Sequence, residues 1–229
     1  SGNIAGNSQT DITIGRSGSI GTLSFASGSS TIGNLNVNIG SGGDITLRSS
    51  LDVSGDLTAS NGSIVLNGNT LTLGGAISFS GSGNINSNAN GGIVINGSGN
   101  AGTIVFSSNG NAVGDLTIDL SSGGNVSLGG DLTVAGTLSL TSGTLSLNGY
   151  NLDISGTLSA SGSGSISGNS GSDISFTGAG SGTLTLTAGS QTIGGLTLNT
   201  TNSNSSGSVM LGSNVTVSGT LSLTAGTIS

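Results

Sequence analysis

The feature that most restricts the fold of this chain is a persistent alternation of apolar with small polar residues, interrupted every few positions by glycine. It shows in the pairs Leu51 and Val53, Leu71 and Leu73, Leu132 and Val134, Leu145 and Leu147, and Leu152 and Ile154. A period of two is that of a strand with one buried face. Between the pairs stand Ser-Gly, Gly-Gly, Asn-Gly and Gly-Asn groups, which supply the positive φ angles of sharp corners. No stretch sustains the i, i+3, i+4, i+7 spacing of an amphipathic helix.

A longer repeat is laid over the alternation. Gly21-Thr22-Leu23-Ser24-Phe25 returns as Gly102-Thr103-Ile104-Val105-Phe106 and as Gly182-Thr183-Leu184-Thr185-Leu186, offsets of 81 and 80 residues. Val53 to Leu57 (VSGDL) returns as Val134 to Leu138 (VAGTL) and as Val217 to Leu221 (VSGTL). Leu66-Asn67-Gly68 matches Leu147-Asn148-Gly149. The chain therefore reads as one continuous solenoid over residues 1–229, with superrepeats 1–81, 82–162 and an incomplete 163–229. Placing the first strand of successive turns at Leu23, Ile45, Ile64, Ile85 and Ile104 predicts rungs of about 20 residues with three strands each. Four rungs then fill a superrepeat and about eleven fill the chain.

The expected fold is all-β, a parallel β-helix. One rung cannot bury its own aliphatic side chains, but stacked rungs place Ile or Leu over Ile or Leu, each worth roughly 1.5–3 kcal/mol. Strand hydrogen bonds between rungs exclude proline, and the chain has none. Spacings that vary from six residues to eight or more depart from a strict hexapeptide rhythm and favour the right-handed form. Flexible-linker and collagen readings fail, the first on the repeated alternation, the second on the missing proline and third-position glycine.

Composition removes most chemistry. The chain has no Cys and no His, and its only cations are Arg16 and Arg48 against nine acidic residues, all Asp, for a net charge of −7. Nucleic acid is disfavoured, since tracking phosphates takes clusters of Lys and Arg. The longest apolar runs, such as Ile64-Val65-Leu66, are far shorter than the ~20 residues of a membrane helix. The closest carboxylate pairs, Asp52 with Asp56 and Asp115 with Asp119, map at the 81-residue offset onto Thr133, Thr137, Asn34 and Asn38. They read as interchangeable polar residues at outward or corner positions. Gly42-Gly43-Asp44 and Gly129-Gly130-Asp131 are isolated from each other and lack the tandem Asp of calcium-binding nonapeptides. No serine has a His or Lys to act as its base. The sequence thus predicts no enzyme, no catalytic, cofactor-binding or metal-binding residue, and no cofactor. Among the aromatics Phe25, Phe79, Phe106 and Phe176 fit core positions, and Tyr150 looks outward. An ice-binding face is weakened by the mixed column Asp52, Thr72, Val94, Thr133, Asp153, Ser175 and Thr216.

The stretch from Thr137 to Leu158, TLSLTSGTLSLNGYNLDISGTL, resembles the β-helical repeat regions of large bacterial secreted adhesins, the autotransporter passengers and filamentous-haemagglutinin-like proteins. The resemblance implies a secreted, cell-surface rod or filament segment with a structural or adhesive role. Its implied partners are like chains, further repeats of the same protein, or surface glycans. A glycan-binding solenoid is the alternative, ahead of an ice-binding protein or a polysaccharide-degrading β-helix enzyme. Ser1-Gly2-Asn3-Ile4 recurs as Ser82-Gly83-Asn84-Ile85, and Gly226-Thr227-Ile228-Ser229 matches Gly143-Thr144-Leu145-Ser146. Both ends are accordingly expected to present open strand edges that stack on another turn.

Overall fold

A computed structural model describes residues 2–201 and 207–229, so Ser1, the first residue of superrepeat 1–81, lies outside the described residues. The described residues form thirty β-strands and no helix. They make three principal sheets. The first has eight strands, beginning with Ile12–Gly15, Leu35–Asn38 and Leu57–Asn61 and ending with Ser165–Ser167. The second has ten, from Gly21–Leu23, Asp44–Leu47 and Ser63–Val65 to Leu221–Ala225. The third also has ten, from Thr31–Ile32, Leu51–Val53 and Thr70–Leu73 to Thr227–Ile228. Thr192–Ile193 and Thr216–Val217 form a separate two-stranded sheet.

All of these pairings are parallel, and the neighbour of a strand within a sheet stands three strands along the chain. That is the topology of a three-sided parallel β-helix, as the alternation and repeats predict. It has about ten turns of about 22 residues.

The turn is longer than the sequence spacing suggested, and the difference lies in the corners. Ile45 does stack on Ile64, and Ile64 on Ile85. Leu23, however, pairs with Leu47, and the partner of Ile85 is Phe106 rather than Ile104. Ile104 belongs to Gly102–Ile104, a strand of the first sheet, where it pairs with Leu128. The superrepeat therefore does not hold four whole turns. Gly21–Leu23 is the second strand of the chain and Gly102–Ile104 the thirteenth, so one superrepeat advances eleven strands, or three and two-thirds turns. Equivalent residues consequently fall on successive faces. Gly21–Leu23 lies in the second sheet, Gly102–Ile104 in the first and Ser181–Leu184 in the third. The equivalent pairs Ile4 with Phe25, Ile85 with Phe106 and Ile166 with Leu186 recur in all three superrepeats.

The core is a set of aliphatic columns. In the third sheet Leu51, Leu71, Ile93, Leu116, Leu138 and Leu158 pair in sequence from turn to turn, and none exceeds 2% exposure. Stacking makes each turn the lid of the one before it, which is how small side chains fill a core in a chain with 2% aromatics. Phe25, Phe106 and Phe176 are buried, Phe79 packs partly buried against the core, and Tyr150 is exposed, as expected.

Candidate functional site

The aspartates are the only acidic groups on the rod, and the structure spends most of them on its own corners. Where a strand begins, an Asx residue stands immediately before the first buried side chain, as in Asn34-Leu35, Asp56-Leu57 and Asp131-Leu132. Its side-chain oxygen accepts the backbone N–H of the equivalent corner one turn later. Asp11 Oδ1 accepts from Asn34 N at 2.8 Å, Asn34 Oδ1 from Asp56 N at 2.7 Å, and Asp56 Oδ1 from Ala76 N at 2.8 Å. A second ladder runs from Asp131 to Asn151 N at 2.8 Å, from Asn151 to Asp173 N at 3.1 Å, and from Asp173 to Gly195 N at 2.6 Å. Asp115 holds Thr137 N at 2.7 Å in the same way. Each bond satisfies a donor that the bend takes out of line with the strand ladder.

Where glycine stands before the corner residue at Gly33, Gly55 and Gly136, the oxygen below fills the space of a side chain. A Cβ on Gly55 would collide with Asn34 Oδ1 and Gly33 O, and one on Gly136 with Asp115 Oδ1 and Gly114 O. The triplets Gly33-Asn34-Leu35, Gly55-Asp56-Leu57 and Gly136-Thr137-Leu138, which include those of VSGDL and VAGTL, are thus one corner seen on different faces. A related corner explains Leu66-Asn67-Gly68 and Leu147-Asn148-Gly149, where Asn67 and Asn148 adopt φ of 51° and 54°. Asn is among the few non-glycine residues that enter the left-handed region readily.

The two carboxylate pairs singled out by proximity are separated by role. Asp52 points outward from a strand of the third sheet and accepts from Thr31 Oγ1 at 3.3 Å, whereas Asp56 caps a corner. Asp119 accepts from Ser142 Oγ at 2.7 Å, and Asp115 caps Thr137. Asp153 takes hydrogen bonds from Ser175 Oγ at 2.9 Å and Thr177 Oγ1 at 2.8 Å. Asp44 opens a strand of the second sheet opposite Ser63. Among the described residues no three His, Cys, Asp or Glu side chains converge as metal ligands, and no helix is long and apolar enough to cross a membrane.

The column weighed for ice binding does not exist as one column. Asp52, Thr72 and Val94 do stack, but the next residue above Val94 is Thr117, in the third sheet. Thr133, Asp153 and Ser175 stack on the second sheet, and Thr216 pairs with Thr192. The eleven-strand superrepeat moved the sequence-equivalent positions to another face.

The Asx capping ladder was missed in the sequence, although its signal was present as Asx directly before the first apolar residue of a strand. Comparison with protein-family models, with curated proteins and with solved structures returned no match.

Proposed function

We propose that this chain is a structural or adhesive rod of a bacterial surface or matrix, acting outside the cell, and not an enzyme. The observation that carries the reading is the fate of the carboxylates. At least five of the nine acidic residues, Asp11, Asp56, Asp115, Asp131 and Asp173, are bonded to the backbone of the next turn. Groups committed to holding turns together are poorly placed for general acid–base chemistry, which needs a carboxyl free to reach a substrate. Ten turns at the ~4.8 Å strand spacing give a rod of about 50 Å. Its outward strand positions carry mostly Thr, Ser and Asn, as in Thr13, Asn36 and Thr58, a hydrated surface that needs little charge.

Like chains or further repeats of the same protein are the proposed partners, because a solenoid turn satisfies its strand edges by pairing with another turn. Electron microscopy of the native material tests the reading: rods or fibres one solenoid wide are expected, and compact particles would overturn it.

A further inference from the structure

Two grooves on the surface of this rod share part of their lining. The larger, about 440 Å³, is bounded by Thr70, Asn90, Val94, Asp115 and Gly136 and lies along strands of the third sheet. The other, about 270 Å³, is bounded by Asp131, Asn151, Asp153, Asp173, Ser175 and Thr197 along the second sheet. At the 81-residue offset Thr70, Gly92, Ile93 and Val94 of the first become Asn151, Asp173, Ile174 and Ser175 of the second. The superrepeat thus carries a concavity with it, and the eleven-strand advance turns it onto another face.

We propose that the first of these grooves is a binding site for a neutral saccharide unit. A sugar ring offers hydroxyls around its rim and C–H bonds on its faces, so its site needs convergent hydrogen-bonding groups beside a small apolar plate. The first groove has both. Val94 projects outward from its strand between Thr72 and Thr117, an apolar side chain in a polar column, with Ala89 lining the same groove. Around it stand the Thr70 hydroxyl, the Asn90 amide and the Asp115 carboxylate. Asp115 gives one oxygen to Thr137 N–H, and its other oxygen has no protein partner among the described residues, leaving it to accept from a ligand hydroxyl. Asp131 and Asp173 in the second groove likewise commit Oδ1 to the backbone of the next turn. Neither groove is lined by a cation, so an anionic glycan has no counter-charge there. Without an aromatic plate the site is weak, and the second groove, on another face and with Ser175 in place of Val94, serves as its control. The proposal goes beyond the rod reading, since a rod could stand without the site.

The test is an amide-resolved NMR titration of the isotope-labelled 229-residue chain with a panel of neutral gluco-, galacto- and manno-oligosaccharides in a chelator-containing buffer. One sugar class is expected to shift the amides of Asn90, Gly92, Gly114 and Asp115 and to leave those of Asn151, Asp173 and Gly195 unmoved. Val94→Asp should weaken the first groove about tenfold, a loss of about 1.4 kcal/mol. That substitution has a precedent in the fold, because Asp52 stands in the same column. Asp115→Asn is the second variant. Asn34 already fills the equivalent corner as a cap, so the turn is kept while ligand affinity falls. No shift with any sugar, shifts elsewhere on the rod, unchanged affinity in both variants, or shifts of these amides with calcium alone would each overturn the proposal. Micrographs of the same samples separate its failure from that of the rod.

Discussion

At the scale of single residues the Asx corners hold the most testable chemistry. Asp56→Ala removes the acceptor for Ala76 N–H at an exposed corner, where water can partly replace it, so the expected loss is about 1 kcal/mol. Asp56→Asn should be close to neutral, since Asn34 does the same work one turn earlier. Gly136→Ala should cost more, about 1–3 kcal/mol, because the new methyl meets Asp115 Oδ1 and a backbone carbonyl, and the turn below must shift. Denaturant midpoints of the three variants check the order. An alanine at residue 136 that proved harmless while Asp56→Ala was costly would reverse the account of why glycine and Asx occur together. Fold class was legible from such residues: the pairs from Leu51 and Val53 to Leu152 and Ile154 are buried as alternation requires. The corner caps were not, because an Asp at a bend looks the same in sequence whether its oxygen meets water or the next turn.

At the scale of the strand, stacking makes each turn depend on its neighbours above and below. Leu73 and Leu147 are 1% and 0% exposed, so replacing either with Asp places a carboxylate where no cation can reach it. The expected cost is about 3–5 kcal/mol, with protease cleavage rising near that turn before the rest of the rod opens. Wild-type protection in both variants would mean the inward assignment is wrong. Register was the part of the fold the sequence disclosed least. Apolar spacing puts Ile45, Ile64 and Ile85 correctly over one another, yet points to Ile104 as the next residue of that column, which Phe106 fills. Both residues are apolar and two positions apart, so both can face inward and alternation alone cannot choose between them. The decision comes from the long segment Phe106–Val113, where Ile85 meets Phe106 but Ser87 meets Asn111, a bulge that takes up extra residues. The counterparts of that segment, from Phe25 to Ile32 and from Leu186 to Ile193, also place extra residues at a corner. A count of turns from apolar spacing therefore gave a shorter rung than the structure has.

At the scale of the whole molecule, what holds the rod is repeated burial and hydrogen bonding, with two cations in the entire chain to form ion pairs. Thermal unfolding should accordingly be indifferent to chelators and to moderate salt, and a large fall in midpoint with a chelator would contradict a core held by apolar stacking alone. The superrepeat supplies a sharper test. Because it spans eleven strands, excising residues 82–162 moves every later strand by two faces, and this is expected to be harmless. After the excision Ser165–Ser167 would stack on Ser63–Val65, the counterpart of its native neighbour Thr144–Ser146, and Ile174–Gly178 would stack on Thr70–Leu73, the counterpart of Leu152–Ile154. Core partners and corners would thus be replaced by their sequence equivalents. Excising three whole turns instead, roughly 66 residues, keeps every strand on its own face but stacks corners of different lengths on one another. The prediction is that the 81-residue excision unfolds cooperatively within a few degrees of the parent, whereas the three-turn excision loses cooperativity or solubility. Circular dichroism melts of the two proteins decide it. Greater stability in the three-turn excision would show that face identity, and not the superrepeat, is the unit on which this rod is built.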